Sequence, residues 1–301
     1  MNKIISFIKK NKIGQIKENQ LLKNYTTYKV GGPCKLMVYP KDVQKLVMLI
    51  TMLNEENIKY KVIGYGSNLI FSDKEYDGVI IKLDLLNKVK IKDTVITAEA
   101  GVSLIKLSYQ AAKQGLTGLE FASGIPGTIG GACFMNAGAY KSDMGYIVSE
   151  VKVLTPELKI KKIYNKDLHY KYRTSFLKDN PEYICLEAKI VLKHGDKKVI
   201  KDLMETRRQK RLMTQPLEYP SAGSVFRNPD NDFAGRLIED CNLKGYKIGG
   251  AMVSDKHANF IINTGSATGS DIHDLINYVH DTVKKKTKVD LKIEQEFVNW
   301  E

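Results

Sequence analysis

The sequence predicts an α+β fold, and its 301 residues are long enough for two domains. Strand-like runs rich in β-branched residues are interspersed with amphipathic helical patterns, without the repeating strand–helix–strand period of a doubly wound sheet. Hydrophobic residues make up 43% of the chain, which supplies ample core material. A polar, glycine-bearing stretch at residues 194–198 is where we place the predicted domain boundary.

The first part is predicted to consist of short strands and two helices. Strands are expected at residues 35–39, 61–63, 78–83, 89–91, 95–98 and 183–192, and a hairpin at 148–154 and 159–163. Apolar residues recur on one helical face over residues 42–54 and 102–113. Gly115 is suited to end the second helix as a left-handed residue.

The second part is predicted to contain more helix. Helices are expected at residues 199–212 and 234–241, and around an apolar stripe from Ile272 to Val283 with Ser270 as its N-cap. A final strand is expected at residues 291–300. Strand alternation would place Glu294 and Glu296 on one face of it.

Two glycine-rich segments carry the strongest chemical signal. Four glycines lie among the eight residues from Gly124 to Gly131, and Gly64-Tyr65-Gly66-Ser67-Asn68 follows an apolar run. Glycines permit positive φ angles, so that successive N–H groups can surround an anion. Neither segment has the Rossmann or P-loop spacing. Two such segments fit one long diphosphate ligand, and two tight structural turns are the alternative.

Composition argues against several other classes of protein. No stretch approaches the ~20 apolar residues of a membrane span, and no secretory signal is recognisable at the N-terminus. The four cysteines are widely spaced, which predicts free thiols and a cytoplasmic location. The net charge of +13 is spread along the chain without a nucleic-acid-binding motif, so we expect anionic nucleotide ligands instead. The histidines lack metal-site spacing.

The glycine-rich segments resemble the UDP-N-acetylenolpyruvoylglucosamine reductase (MurB) family, together with Gly31-Gly32, the segment 135–140 and the segment 219–229. The resemblance covers residue 20 to the C-terminus. It implies a vanillyl-alcohol-oxidase-like (PCMH-type) two-subdomain FAD-binding domain at residues 29–194, after an N-terminal segment at 1–28. A smaller α+β substrate-binding domain would occupy residues 200–301. The chain is similar to the type without an extra substrate loop.

The resemblance also implies the chemistry. NADPH would reduce non-covalent FAD, and the flavin would pass hydride to the enolpyruvyl group of a UDP-sugar, yielding UDP-N-acetylmuramate for peptidoglycan. The implied cofactor-binding residues are Gly64, Gly66, Ser67, Asn68, Gly124, Gly127, Thr128, Gly130, Gly131 and Asn136. Lys141 departs from the glycine that the family often has at that position.

Three residues are implied to be catalytic. Arg173 would grip the carboxylate on which negative charge develops, Ser224 would donate a proton, and Glu296 would orient the enol carboxylate. Tyr172, Arg227 and Asn228 would contact the substrate. The basic stretch 207–211 would either hold the substrate diphosphate or form a solvated helix face.

Three further expectations follow. No Rossmann fingerprint is left for NADPH, so NADPH and the sugar nucleotide are expected to use one cleft in turn. We expect a monomer with no membrane or nucleic-acid partner.

The rival hypotheses are another FAD-dependent oxidoreductase of the same fold, such as a sugar or alcohol oxidase, and a flavin-binding protein without turnover.

Overall fold

The computed structural model describes residues 1–300. The helices are α1 Asn2–Lys10, α2 Val43–Glu55, α3 Leu104–Gln114, α4 Ile129–Met135, α5 Phe176–Asp179, α6 Lys197–Thr214, α7 Ala234–Asp240 and α8 Gly269–Thr287. The strands are β1 Gly14–Leu21, β2 Pro33–Pro40, β3 Tyr60–Ile63, β4 Leu69–Phe71, β5 Tyr76–Lys82, β6 Val89–Lys92, β7 Val95–Glu99, β8 Leu116–Thr117, β9 Gly138–Ala139, β10 Ser142–Asp143, β11 Val148–Leu154, β12 Ile160–Tyr164, β13 Ile184–Val191, β14 Lys193–His194, β15 Lys247–Ile248, β16 Ala251–Val253, β17 Ile261–Asn263 and β18 Glu296–Val298. Within residues 1–300, no helix has both the length and the apolar character needed to cross a bilayer.

The chain forms two compact units that are not continuous in sequence. Unit 1 contains residues 1–18, 36–65 and 77–209, and unit 2 contains residues 19–35, 66–76 and 210–301. These limits differ from the sequence-based boundaries at residues 28 and 194–200. The physical reason is that Tyr28, Val30 and Ile70 are buried in the same hydrophobic core as the C-terminal helices.

Unit 1 has two hydrophobic cores. The first lies with a four-stranded sheet of order β1-β2-β5-β3, in which β3 and β5 are parallel. Helix α1 contributes Ile4 and Ile8 to this core, and α2 contributes Leu46, Leu49 and Ile50. The Asp42 carboxylate caps α2 by accepting a hydrogen bond from the Lys45 N–H at 2.8 Å.

The second core of unit 1 lies with a five-stranded antiparallel sheet of order β12-β11-β13-β7-β6. Residues of α3 and α4 are buried in it. The predicted β11–β12 hairpin is confirmed. Gly115 ends α3 with φ of +73°, as predicted. The strand-rich first part of the α+β prediction is therefore confirmed.

Unit 2 combines a three-stranded sheet of order β15-β16-β17 with α7 and α8. The predicted apolar stripe of α8 is buried along its length, from Ile272 to Val283. The predicted N-cap is wrong, because Thr268 caps the helix in a capping box with Asp271. Ser270 lies inside the first turn, where its hydroxyl donates to the Asp73 carboxylate at 2.7 Å.

The predicted C-terminal strand is much shorter than expected. Only Glu296–Val298 form β18, which pairs in parallel with β4. Upstream of it, Ile293 forms an isolated bridge with Phe226, and the Glu294 N–H donates to the Val225 carbonyl at 2.8 Å. The segment changes pairing partner at residues 294–296, so a single strand over 291–300 is wrong.

Candidate active site

The two glycine-rich segments meet within unit 1. Gly64 follows β3, and a Cβ added to it would lie 2.6 Å from Thr128 Oγ1, closer than real Cβ contacts. Thr128 is the N-cap of α4, and its hydroxyl accepts a hydrogen bond from the Gly131 N–H at 3.3 Å. The first residue of the upstream segment and the N-cap of α4 are therefore in close contact within unit 1, as a shared ligand would require.

The downstream glycine run is only partly a loop. Ile129 begins α4, so Gly130 and Gly131 lie in its first turn. The N–H groups of Ile129 and Gly130 donate to backbone carbonyls at 2.9 Å. Within residues 1–300, the N–H groups of Gly127 and Thr128 form no hydrogen bond, which makes them available to an anion.

Lys82 is a buried cation that the sequence analysis did not single out. Its Nζ donates to the Gly64 carbonyl oxygen at 2.6 Å and lies 3.3 Å from Asp84 Oδ1. Burial lowers the pKa of Lys82, and the Asp84 carboxylate partly counteracts this. Lys82 thus fixes the glycine turn and places positive charge beside it. It occupies the strand predicted at residues 78–83, whose other residues are largely apolar, so the hydrophobic pattern hid it.

The remainder of the upstream glycine segment belongs to unit 2. Gly66 has φ of +65°, and a Cβ there would lie 2.3 Å from the Tyr25 carbonyl oxygen. The Thr27 N–H donates to the Gly66 carbonyl at 3.4 Å, whereas the buried Thr27 Oγ1 has no partner within residues 1–300. Ser67 beside this turn is half-buried. An orphaned hydroxyl here is one more donor for a phosphate.

Asn68 connects this turn to the C-terminal segment of unit 2. Its side-chain Nδ2 donates to the Glu294 carbonyl at 3.1 Å. Its own carbonyl accepts a hydrogen bond from the Glu296 N–H at 2.9 Å. Asn68 therefore positions the backbone that carries Glu296, in addition to any contact with a cofactor.

These features fit a dinucleotide cofactor. Free backbone N–H groups beside glycines, whose lack of a Cβ lets the backbone approach closely, are the groups that surround a diphosphate. Cys133, the cysteine within the glycine region, is fully buried in the second core of unit 1. A thiol enclosed by that core is unsuited to a covalent flavin bond, which favours non-covalent binding.

Arg173 lies at the tip of a tight hairpin turn in unit 1. Lys171 and Thr174 bridge the turn, and Arg173 has φ of +55°. Its Nη2 donates to the Gly138 carbonyl at 2.8 Å, and its Cζ lies 5.2 Å from the centroid of the exposed Tyr172 ring. Between Arg173 and β13 lie only α5 and a short turn. This is consistent with the type that lacks the extra loop.

Asn136 anchors this arginine turn. The residue ends α4 with φ of +44° and is buried. Its Nδ2 donates to the Lys171 carbonyl at 2.9 Å, and its Oδ1 accepts from the Gly145 N–H at 2.8 Å. The motif at 135–140 therefore supports the arginine turn, a link that the separate sequence motifs did not reveal.

The left-handed backbone after this motif explains the family's glycine at position 141. Tyr140 and Lys141 have φ of +55° and +60°. Glycine adopts such angles at least cost. The Tyr140 hydroxyl donates to the Arg207 carbonyl at 3.0 Å, and the Arg207 guanidinium lies over the Tyr140 ring. The neighbouring Arg208 pairs with Glu205 on the exposed face of α6.

Ser224 lies in unit 2 on a loop that is tied down on both sides. Gly223, with φ of +77°, precedes it. After it, the Val225 N–H donates to the Asn259 carbonyl, and the Asn259 side chain both donates to and accepts from the Phe226 backbone at 2.8 and 2.9 Å. Asn259 is buried and was missed by the sequence analysis.

The other predicted site residues of unit 2 either follow the Ser224 loop or lie on the C-terminal segment whose backbone pairs with it. The Arg227 N–H donates to the Lys292 carbonyl at 2.8 Å. Asn228 Oδ1 accepts from the Ala234 N–H at 3.1 Å, at the start of α7. Glu294 and Glu296 are both half-buried. Burial lowers the pKa of His257, whose Nδ1 accepts a hydrogen bond from the Asn259 N–H.

Two known families match separate parts of the chain. Residues 215–298 match the family described as UDP-N-acetylenolpyruvoylglucosamine reductase, C-terminal domain, and residues 34–163 match the family described as FAD binding domain. The UDP-N-acetylenolpyruvoylglucosamine reductase of Anoxybacillus flavithermus is 44% identical over 299 residues, covering 99% of each chain.

Solved structures were also compared with this chain, and they match its fold. The crystal structure of UDP-N-acetylenolpyruvylglucosamine reductase (MurB) from Thermus caldophilus matches with a TM-score of 0.81 and 32% identity, covering 94% of this chain and 98% of that one. The glucose dehydrogenase Phl p 4.0202 matches with a TM-score of 0.51 at 12% identity, over 65% of this chain and 44% of that one. The latter likeness concerns the fold alone. The predicted two-subdomain FAD-binding fold with a smaller α+β domain is confirmed.

Proposed function

This chain belongs to the UDP-N-acetylenolpyruvoylglucosamine reductase family, and from that premise we propose how its residues divide the work of the reaction. The activity is NADPH-dependent reduction of an enolpyruvyl UDP-sugar to UDP-N-acetylmuramate, a step of peptidoglycan synthesis. Bound FAD, reduced by NADPH, supplies the hydride that adds to the methylene carbon of the enolpyruvyl group.

Arg173 stabilises the charge that hydride addition produces. The electron pair displaced from the double bond moves onto the adjacent carbon and into the carboxylate. A guanidinium presents paired donors to a carboxylate and stays charged at every physiological pH. One Arg173 nitrogen is bonded to the Gly138 carbonyl, which holds the group in place for substrate. Such fixed charge, already oriented before reaction, is most effective in a water-excluded site.

Ser224 delivers the proton to the carbon that carries this charge. A hydroxyl is a weak acid, but an enolate carbon is basic enough to take its proton. Geometry decides whether the transfer occurs, since a general acid must lie within hydrogen-bonding reach of the atom it protonates. The loop that carries Ser224 is bonded to Asn259 on its C-terminal side, which holds the hydroxyl in place.

Glu296 orients the enol carboxylate from the segment that Asn68 supports. Tyr172, Arg227 and Asn228 contact the sugar nucleotide. The N–H groups of Gly127 and Thr128, with the glycine turn at Gly64, hold the FAD diphosphate beside the Lys82 cation. NADPH and the sugar nucleotide bind in turn at one place, since no second dinucleotide motif occurs in the sequence. We further propose a cytoplasmic monomer.

The observation that carries this proposal is the backbone pairing of residues 225–227 with residues 292–294. It places a hydroxyl donor and a carboxylate on one framework within unit 2. The test is an anaerobic spectrum of the purified protein. Addition of NADPH is expected to bleach the flavin absorbance, and the enolpyruvyl UDP-sugar to restore it. Initial rates should give parallel double-reciprocal lines. A flavin that NADPH bleaches but the UDP-sugar does not reoxidise would point to the rival oxidoreductase.

Substituting Gly64 by alanine is expected to weaken FAD binding. The new Cβ would lie 2.6 Å from Thr128 Oγ1 and force the two glycine segments apart. Overpacking costs about 1–3 kcal/mol, which corresponds to a loss of affinity of about 5- to 160-fold. FAD titration of the apoprotein measures it. Gly235→Ala is the control, because its Cβ would make only an ordinary contact, at 3.5 Å. Unchanged affinity in Gly64→Ala would contradict the proposed cofactor site.

A further inference from the structure

We propose that Gln295, held in place by Tyr28, is the positioning residue that aims the Ser224 hydroxyl at the carbon to be protonated. The inference rests on the proposed role of Ser224 and adds to it a pair of residues with no previous assignment. Both members of the pair and the serine loop lie in unit 2.

Gln295 is bonded to the backbone that leads into the serine. It is buried between the two half-buried glutamates Glu294 and Glu296, with 5% of its surface exposed. Its Nε2 points at three successive carbonyl oxygens, those of Ala222 at 3.2 Å, Gly223 at 3.4 Å and Ser224 at 3.4 Å. An amide group with two donors is therefore shared among three acceptors of one loop.

The identity of the partners fixes the orientation of the amide. Carbonyl oxygens only accept hydrogen bonds, so the Gln295 nitrogen must face the loop and its Oε1 must face the other way. On that side, the Tyr28 hydroxyl donates to Oε1 at 3.1 Å. Tyr28 is completely buried, and burial raises the pKa of its phenol, so the hydroxyl remains a donor throughout the physiological range. The Tyr28 hydrogen bond thereby anchors the amide oxygen on the side away from the loop.

The loop needs this support because of Gly223. Its φ of +77° is accessible mainly to glycine, and an added Cβ would have no neighbour within 4 Å. Side-chain packing therefore does not restrain Gly223 itself, which separates Ser224 from Ala222 in the core. On the other side, Asn259 holds Val225 and Phe226. Hydrogen bonds from Gln295 fix the carbonyl groups on both sides of Gly223, and rotation there would swing the hydroxyl away.

The first test is Gln295→Met, which keeps the length of the side chain and removes its donors. Flavin reoxidation by the enolpyruvyl UDP-sugar is expected to slow about 10- to 100-fold, the effect of a misplacement of about 1 Å. Flavin reduction by NADPH should keep its rate. The solvent deuterium isotope effect on reoxidation should rise, because proton transfer becomes more fully rate-limiting. Equal slowing of both half-reactions would overturn the proposal.

A double-mutant cycle separates this inference from the proposed role of Ser224. If Gln295 acts through Ser224, Gln295→Met should have almost no further effect on reoxidation in a Ser224→Ala background. If the double variant instead shows the product of the two single-variant rate losses, the proposed role of Gln295 is overturned, and that of Ser224 is not. If Ser224→Ala by itself slows both half-reactions equally, the proposed role of Ser224 fails instead.

Tyr28→Phe provides a second variant should Gln295→Met not fold. It removes one hydroxyl and keeps the ring, so reoxidation should slow in the same direction by about tenfold or less, because the amide keeps its donors. Asn11→Ala is the control, since the Asn11 amide also donates to a backbone carbonyl, that of Phe7 at 2.9 Å, but at the end of α1 in unit 1. It should leave the ratio of the two half-reaction rates unchanged. A wild-type ratio in Tyr28→Phe would overturn the role of the pair.

Discussion

Replacement of Ser224 by alanine should slow flavin reoxidation by the enolpyruvyl UDP-sugar by about 10²–10⁴-fold, the usual loss on removing a general acid. Reduction by NADPH needs no proton from this hydroxyl and should keep its rate. Stopped-flow absorbance of the flavin measures the two half-reactions separately. The variant should fold, because the hydrogen bonds that hold the loop use its backbone and the side chains of Asn259 and Gln295.

Ser221→Ala on the same loop is the matched control, and both of its half-reactions should resemble those of the unchanged protein. If Ser224→Ala slows reduction and reoxidation by the same factor, Ser224 is a structural residue. If it slows neither, another group donates the proton. Either result would remove Ser224 from the proposed mechanism.

The glycine-rich segments show how much of the site the sequence could predict. Glycine has few uses apart from positive φ and close approach, so its clustering predicted a ligand site, and Gly64 does meet Thr128. The same composition could not tell a loop from a helix start. Gly130 and Gly131 lie within the first turn of α4, where Gly130 packs against Ala100.

The residues that the sequence analysis missed are polar side chains with buried, long-range partners. Lys82 lies in an apolar strand, and its bond to the Gly64 carbonyl spans 18 residues of sequence. Tyr28 and Gln295 are 267 residues apart. Hydrophobic periodicity reports which face of an element is buried, but it carries no information about which distant carbonyl a buried amide will meet.

The errors in secondary structure have the same origin. Ser270 and Thr268 are both suitable N-caps by residue type, and the capping box with Asp271 decides for Thr268. The strand expected at residues 291–300 has strand-favouring residues towards both ends, such as Ile293 and Phe297. It divides because Glu294 pairs with Val225, whereas Glu296 pairs with Asn68. Local pattern predicted the existence of these elements, and tertiary pairing set their ends.

Replacement of Arg173 by lysine should slow reoxidation by about 10²–10³-fold, the typical effect of losing one preorganised donor to a developing oxyanion. Lysine keeps the positive charge, but as a compact ammonium it lacks the planar fork that can bind the Gly138 carbonyl and a substrate carboxylate together. It also loses the guanidinium that lies over the Tyr172 ring, with its Cζ 5.2 Å from the centroid. The substrate, once bound, would then meet a charge that is present but poorly aimed.

The backbone makes this substitution a clean test. Arg173 has φ of +55°, a conformation that strains every residue except glycine and costs arginine and lysine about the same. The melting temperature of Arg173→Lys should therefore stay close to that of the unchanged protein. Arg208→Lys on α6 is the control, because Arg208 pairs only with Glu205 across an exposed helix face. Both half-reactions should be unaffected in that control. A fully active Arg173→Lys would mean that charge alone suffices, and that the hydrogen bond to Gly138 serves only the fold.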